Sequence, residues 1–171
     1  ARLPFPGDWR LLLVMDARGP GLHGKQEVEA FRQLPPFPRE IAAHLCHLTL
    51  MQVLPGLRES KLPPVAQGIA ELQRRVGDHF APAQGGRFTS PAVADALAWA
   101  ESLGFAGVGQ SSWGPTGFVL TASEEEAETL VAQARKRFGD LSPLRFVITT
   151  ACNQGCRMHV GSAVDVVKGN H

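Results

Sequence analysis

The stretch from Ala106 to Thr121 constrains this chain more than any other. It reads Ala-Gly-Val-Gly-Gln-Ser-Ser-Trp-Gly-Pro-Thr-Gly-Phe-Val-Leu-Thr, two short apolar runs on either side of Ser111–Thr116. Apolar runs of strand length joined by Gly, Pro and Ser predict a paired hairpin. Gly107, Gly109, Gly114 and Gly117 fall within eleven residues, far more glycine than a two-residue turn needs. A glycine inside a strand marks a bulge or a close approach by a ligand or another backbone. Two readings stay open. Bared backbone N–H groups can form a concave anion site to which Ser111, Ser112 and Thr116 add hydroxyl donors, or the glycines serve the hairpin's own geometry. Trp113 at the tip either covers an aromatic ring or packs.

The rest of the chain is read around that hairpin. Trp9–Met15 is a short apolar run without alternation, predicting either a strand covered on both faces or a central one. Gln26–Gln33 predicts a short helix stopped by Pro35 and Pro36. From Arg39 to about Arg58 the chain has helical length and is apolar nearly all round, which predicts a buried helix. Pro63 and Pro64 open another helix, with Val65, Ile69, Leu72 and Val76 on one stripe. Ala83–Thr89 is a second glycine-containing loop. Ser90 and Pro91 read as N-cap and first residue of a helix ending at Gly104. Ser123 with Glu126 predicts a capping box for a helix through Phe138, closed by Gly139. Arg145–Thr150 is the last clear strand. Strand, helices, strand-turn-strand, helix, strand predicts an α+β fold: a ferredoxin-like split β-α-β sandwich with inserted helices.

Length and composition limit what such a fold does. The 171 residues suit one domain, with 44% apolar and 19% charged residues excluding disorder as the default. A formal charge of +1 gives no electrostatic case for duplex nucleic acid or an anionic membrane surface. No run approaches the ~18 apolar residues of a membrane span. Three cysteines make no disulfide framework and point to a reducing, cytoplasmic setting. The opening Ala-Arg-Leu-Pro-Phe-Pro-Gly-Asp-Trp reads as a mid-protein junction, so the chain is expected to be a C-terminal piece of a longer protein.

Several polar groups are candidates for chemistry. Arg87, Arg18 and Lys25 suit a phosphate or carboxylate, arginine as the better bidentate partner. Asp16, ending the first strand, is either a Mg²⁺ ligand or a loop cap. Cys152, Cys156 and His159 have loose metal-ligand spacing but no evident fourth ligand, and ordinary thiols are the commoner outcome. His44, Cys46 and His47 share the apolar helical segment, and His79 reads as a helix-end or surface residue. No catalytic acid or base stands out.

The Gly107–Phe118 string, together with Phe80-Ala-Pro-Ala-Gln-Gly-Gly and Gly21-Leu-His-Gly24, resembles the beta-ribofuranosylaminobenzene 5'-phosphate synthase family of the GHMP kinase superfamily. The likeness runs from about Pro4 to Phe138 and is to the C-terminal part of such proteins. The superfamily's N-terminal nucleotide loop is not in this sequence. The resemblance implies a GHMP kinase C-terminal fold and a decarboxylating transfer in methanopterin biosynthesis. In that transfer phosphoribosyl pyrophosphate and a para-substituted benzoate give an aryl riboside phosphate, carbon dioxide and pyrophosphate, with Mg²⁺ accompanying the pyrophosphate. It also implies a homodimer acting on small molecules. The substrate contacts expected are Gly107, Gly109, Gln110, Ser111, Ser112, Trp113, Gly114, Thr116 and Gly117, joined by Arg87 and His23. Two alternatives remain: an ATP-dependent small-molecule kinase of the same superfamily, and a non-catalytic binding or dimerisation domain.

Overall fold

The computed structural model describes residues 2–19, 21, 24–139 and 142–155. Strand β1 (Arg10–Asp16) is followed by five helices: α1 (Lys25–Gln33), α2 (Arg39–Leu48), α3 (Leu54–Arg58), α4 (Leu62–Gln84) and α5 (Pro91–Ser102). The hairpin β2 (Val108–Gln110) and β3 (Gly117–Thr121) comes next, then α6 (Glu124–Phe138) and β4 (Leu144–Thr149). The sheet order is β2-β3-β1-β4 with every neighbouring pair antiparallel. Since β1 and β2 both run against the β3 between them, they are mutually parallel with one strand inserted. That is the split β-α-β arrangement, and the fold is α+β as expected.

Register decides which residues form the core. Leu12 stands opposite Val119 and Ile148, and Val14 opposite Gly117 and Phe146. With period-2 alternation these residues share one face, where they meet Val93, Leu97 and Ala100 of α5 and Leu130 and Val131 of α6. The other face is different. Leu11 and Leu13 are half-buried and Met15 is exposed, so of the two readings the strand is the central one, between β3 and β4, and is not fully covered on its second face. The reason is reach: α4 lies over the β2–β3 end, beside Gly107 and Gly109, and leaves β1 and β4 partly open there.

The segment from Arg39 to Arg58 departs from expectation. It is helical, but α2 passes into α3 through a π turn at Thr49–Val53. Only Leu45, Val53 and Gly56 are buried, while Leu50 and Met51 stand 60% and 66% exposed. An all-round apolar helix buries only the stripes for which neighbours exist, and this one has α4 as its main neighbour. Contact is close there. A Cβ on Gly68 would sit 2.5 Å from Val53 Cγ2, and one on Gly56 2.8 Å from Val65 Cγ2.

The helix ends follow their local chemistry. Ser90 Oγ accepts the Val93 N–H and Ser123 Oγ the Glu126 N–H, while Glu126 accepts from the Ala122 N–H. After α5, the Phe105 N–H reaches the Ala100 carbonyl and the Gly104 N–H that of Glu101, with Gly104 at φ 97°. This double bond pattern is the Schellman stop, and it favours glycine at that position. The two end segments are tied together: the Phe5 N–H donates to Asn153 Oδ1 and Asn153 Nδ2 donates to the Phe5 carbonyl.

Candidate functional site

The hairpin turn closes through Ser111 N–H to the Thr116 carbonyl (2.9 Å) and Gly114 N–H to the Ser111 carbonyl (3.0 Å). Ser112 adopts φ 51° and Gly114 φ 69°. Each glycine of the hairpin faces another part of the chain. A Cβ on Gly117 would lie 2.6 Å from Val93 Cγ1 of α5, and one on Gly107 2.8 Å from Leu120 Cβ and 3.0 Å from Ala66 Cβ of α4. A Cβ on Gly109 would run into the Gln73 side chain, and one on Gly114 would lie 2.6 Å from Gln110 Oε1. The hairpin is thin because it is clamped between two helices, α5 on one face and α4 on the other.

Gln110 holds the clamp together. Its side chain is buried, and both of its side-chain polar atoms have protein partners. Gln110 N–H donates to Gln73 Oε1 (2.9 Å), and its own Oε1 accepts the Thr89 N–H (2.7 Å). Its Nε2 donates to Gln84 Oε1 (3.2 Å) and to the Ser112 carbonyl (3.0 Å). The Thr89 hydroxyl donates to the Trp113 carbonyl at 2.7 Å. Gln110 therefore fixes the loop after α4 to the hairpin tip. Ser111 and Ser112 are exposed, and Thr116 is half-buried.

Between α1, α4 and the hairpin tip lies a cavity of about 230 Å³. Its apolar wall is Phe31, Phe80 and Trp113, packed edge to face with ring centroids 4.8–5.6 Å apart, within the spacing aromatic pairs prefer. Trp113 is buried, and its indole N–H donates to Glu27 Oε1 at 2.9 Å. Glu27, Gln84, Arg87 and Ser112 supply the polar lining. Arg87 Nε and Nη2 grip Asp78 at 2.7 and 3.1 Å, and the pairing raises the guanidinium's proton affinity further.

A second, open cleft of about 500 Å³ lies across Thr89, at the start of α5. Asp16 Oδ1 accepts from the Arg18 N–H and Nε, and Oδ2 from Arg18 Nη2 (2.8 Å) and the Ser90 hydroxyl (2.6 Å). The Arg18 guanidinium, helped by Ser90 and opposed by burial, holds the Asp16 carboxyl well below the usual carboxylate range. With both oxygens so engaged, Asp16 is a loop cap and does not fit a Mg²⁺ ligand.

Of the expected site residues, the fold brings Trp113, Ser112, Gln110 and Arg87 to the aromatic cavity. Gly107 and Gly117 lie away from it, at packing contacts. His23, Cys156 and His159 lie outside the described residues. Among the described residues no three His, Cys, Asp or Glu side chains cluster to hold a metal, and Cys152 is exposed. His44 pairs loosely with Glu71 at 3.7 Å, and His79 packs edge-on between Phe37 and Phe80. Glu27, Phe31, Gln73, Gln84 and Thr89 were not singled out from the sequence. Glu27 and Phe31 fall within the short helix expected over Gln26–Gln33, and nothing local links them to Trp113, 86 positions from Glu27.

Comparison with known proteins follows the same lines. Residues 53–140, just over half of the chain, match the family model "GHMP kinases C terminal". A beta-ribofuranosylphenol 5'-phosphate synthase of Methanothermobacter thermautotrophicus is 25% identical over 92% of this chain and 45% of its own length. One from Archaeoglobus fulgidus is 29% identical over 94% of this chain and 47% of its own. The chain thus spans just under half the length of these relatives. Homoserine kinase from Cytophaga hutchinsonii superposes with a TM-score of 0.57 at 19% identity, covering 91% of this chain and 45% of that one; this is a likeness of fold. Among the described residues no helix is long and apolar enough to cross a membrane. By the extent of the model match, the chain belongs to the GHMP kinase C-terminal family.

Proposed function

We propose that this chain is the acceptor-side domain of a synthase that joins phosphoribosyl pyrophosphate to a para-substituted benzoate, in methanopterin biosynthesis. The observation that carries this reading is the extent of the likeness to the beta-ribofuranosylphenol 5'-phosphate synthases, which runs through nearly the whole chain. In the reaction, the ring carbon bearing the carboxylate bonds to C1 of the sugar as the C1–O bond breaks and pyrophosphate leaves with the electron pair. The ring–carboxylate bond then breaks, its electrons restore the aromatic ring, and carbon dioxide departs. No proton is gained or lost overall. What the protein must supply is orientation of two substrates and a charge environment for the leaving group. The rigid hairpin serves the first task. Arg18, whose side chain is 60% exposed on one side of it, serves the second. Mg²⁺ arrives with phosphoribosyl pyrophosphate as part of that substrate. The reading includes a cytoplasmic homodimer.

The test uses the full natural protein with Mg²⁺, phosphoribosyl pyrophosphate and carboxyl-labelled 4-hydroxybenzoate or 4-aminobenzoate. Labelled carbon dioxide that requires both substrates supports the synthase. The family description favours a second reading, an ATP-dependent small-molecule kinase. ATP turnover on a small alcohol with no carbon dioxide released would select it.

A further inference from the structure

We infer that the aromatic cavity beside the hairpin tip binds the acceptor arene, with the Glu27 carboxylate receiving the O–H or N–H of its para substituent. The inference rests on the synthase reading for the identity of the ligand, and on four features of the cavity for its chemistry.

Size comes first. At about 230 Å³ the cavity is below the roughly 300–1,000 Å³ of sites for drug-sized ligands, which suits one substituted ring and excludes a sugar carrying three phosphates. Second, its wall is aromatic on three sides, and Phe31 presents 55% of its surface to solvent beside Phe80 and Trp113. A flat apolar ligand covers that surface and extends the edge-to-face cluster. Third, the charges disfavour a polyanion. Glu27 makes no ion pair among the described residues, and the one lining guanidinium, Arg87, is already gripped in two places by Asp78. Fourth, Glu27 is aimed. Its Oε1 takes the Trp113 indole N–H at 2.9 Å, which fixes the carboxylate against the ring pocket, and an ionised carboxyl has about four acceptor positions.

This placement has a chemical consequence. A hydrogen bond from the para O–H into a carboxylate pushes electron density into the ring, towards the opposite carbon that must attack the sugar. The proton stays on the substituent at the end of the reaction, so the balance of the transfer is unchanged. Glu27 thus selects an arene with a donor at that end and raises its nucleophilicity.

The test is calorimetric titration of the full natural protein, with Mg²⁺ and pyrophosphate present, by 4-hydroxybenzoate and by 4-methoxybenzoate, which lacks the donor. Glu27→Gln keeps an oxygen for the Trp113 indole. It is expected to weaken 4-hydroxybenzoate about tenfold and leave 4-methoxybenzoate unchanged. Phe31→Ala is expected to weaken both ligands several-fold. In turnover, Glu27→Gln should raise KM for the arene and not for phosphoribosyl pyrophosphate. Equal weakening of both ligands by Glu27→Gln, no weakening at all, or a wild-type protein that fails to bind 4-hydroxybenzoate overturns the inference. Carbon dioxide release judges the synthase reading separately. Donor-selective, Glu27-dependent binding without release keeps the arene site and removes the synthase; release with Glu27-independent binding does the reverse.

Discussion

At the scale of single residues, the hairpin glycines are explained by what stands opposite them. Gly117 has Val93 and Leu97 where a side chain would go, so Gly117→Ala overpacks the β3–α5 contact. Overpacking of this kind costs about 1–3 kcal/mol, to be read as a lowered midpoint in urea unfolding. Gly7 has nothing within 4 Å and needs no unusual φ, and Gly7→Ala should leave the midpoint within about 0.5 kcal/mol of wild type. Asp16 makes a prediction in pH. Its folded-state carboxyl titrates below the ordinary unfolded value of about 3.9, because Arg18 and Ser90 hold it ionised. It therefore contributes its full stability above that value and loses it as pH falls further. Asp16→Asn should be less stable at pH 7 by roughly 1–3 kcal/mol, and the gap should shrink on acidification below about pH 4. A gap constant from neutral to strongly acid conditions would refute this account. The sequence displayed these residues plainly as types, and it singled out Asp16, Arg18 and the glycines. Whether each faced ligand or protein depended on contacts made dozens of positions away.

At the scale of elements, helix boundaries were the most legible part of the chain. Ser90, Ser123 and Gly104 are end signals whose partners lie within four or five residues, so short-range pattern suffices. Ser90 does more than cap. Its hydroxyl also donates to Asp16, joining the start of α5 to the end of β1 across 74 positions. Ser90→Ala should therefore cost more than the ~1 kcal/mol of a simple cap, and more than Ser123→Ala measured by the same denaturation. Gln110 is the comparable bridge for the hairpin. Gln110→Ala leaves the Thr89 N–H without its acceptor in a half-buried place and takes one donor from Gln84 Oε1, the orphaned N–H costing about 1–3 kcal/mol. Faster amide exchange at Thr89 is the expected signature, with α6 unaffected. What the sequence did not settle at this scale was coverage. Apolar pattern reports that a face prefers burial, and the second face of β1 and the outer side of α2 found only partial cover because α4 serves both neighbours from one end.

At the scale of the whole molecule, antiparallel pairing of β1 with both β3 and β4 draws the halves of the chain into one sheet, and Asn153 adds a clasp between its end segments through the backbone of Phe5. Asn153→Ala should speed exchange at the Phe5 amide and leave Leu12 and Val119 protected. The sequence by itself determined the order of the elements, the ends of most helices and the hairpin, because these follow from propensities, caps and periodicities acting over a few residues. It also carried the family likeness, since the Gly107–Phe118 string is long and unusual. Only the tertiary structure decided that Glu27 and Phe31 of α1, Phe80 and Gln84 of α4, and Trp113 of the hairpin enclose one cavity. No local pattern encodes that meeting. It arises when β1 and β3 pair and α4 closes over the hairpin, bringing together side chains whose separate neighbourhoods in the sequence give no sign of one another.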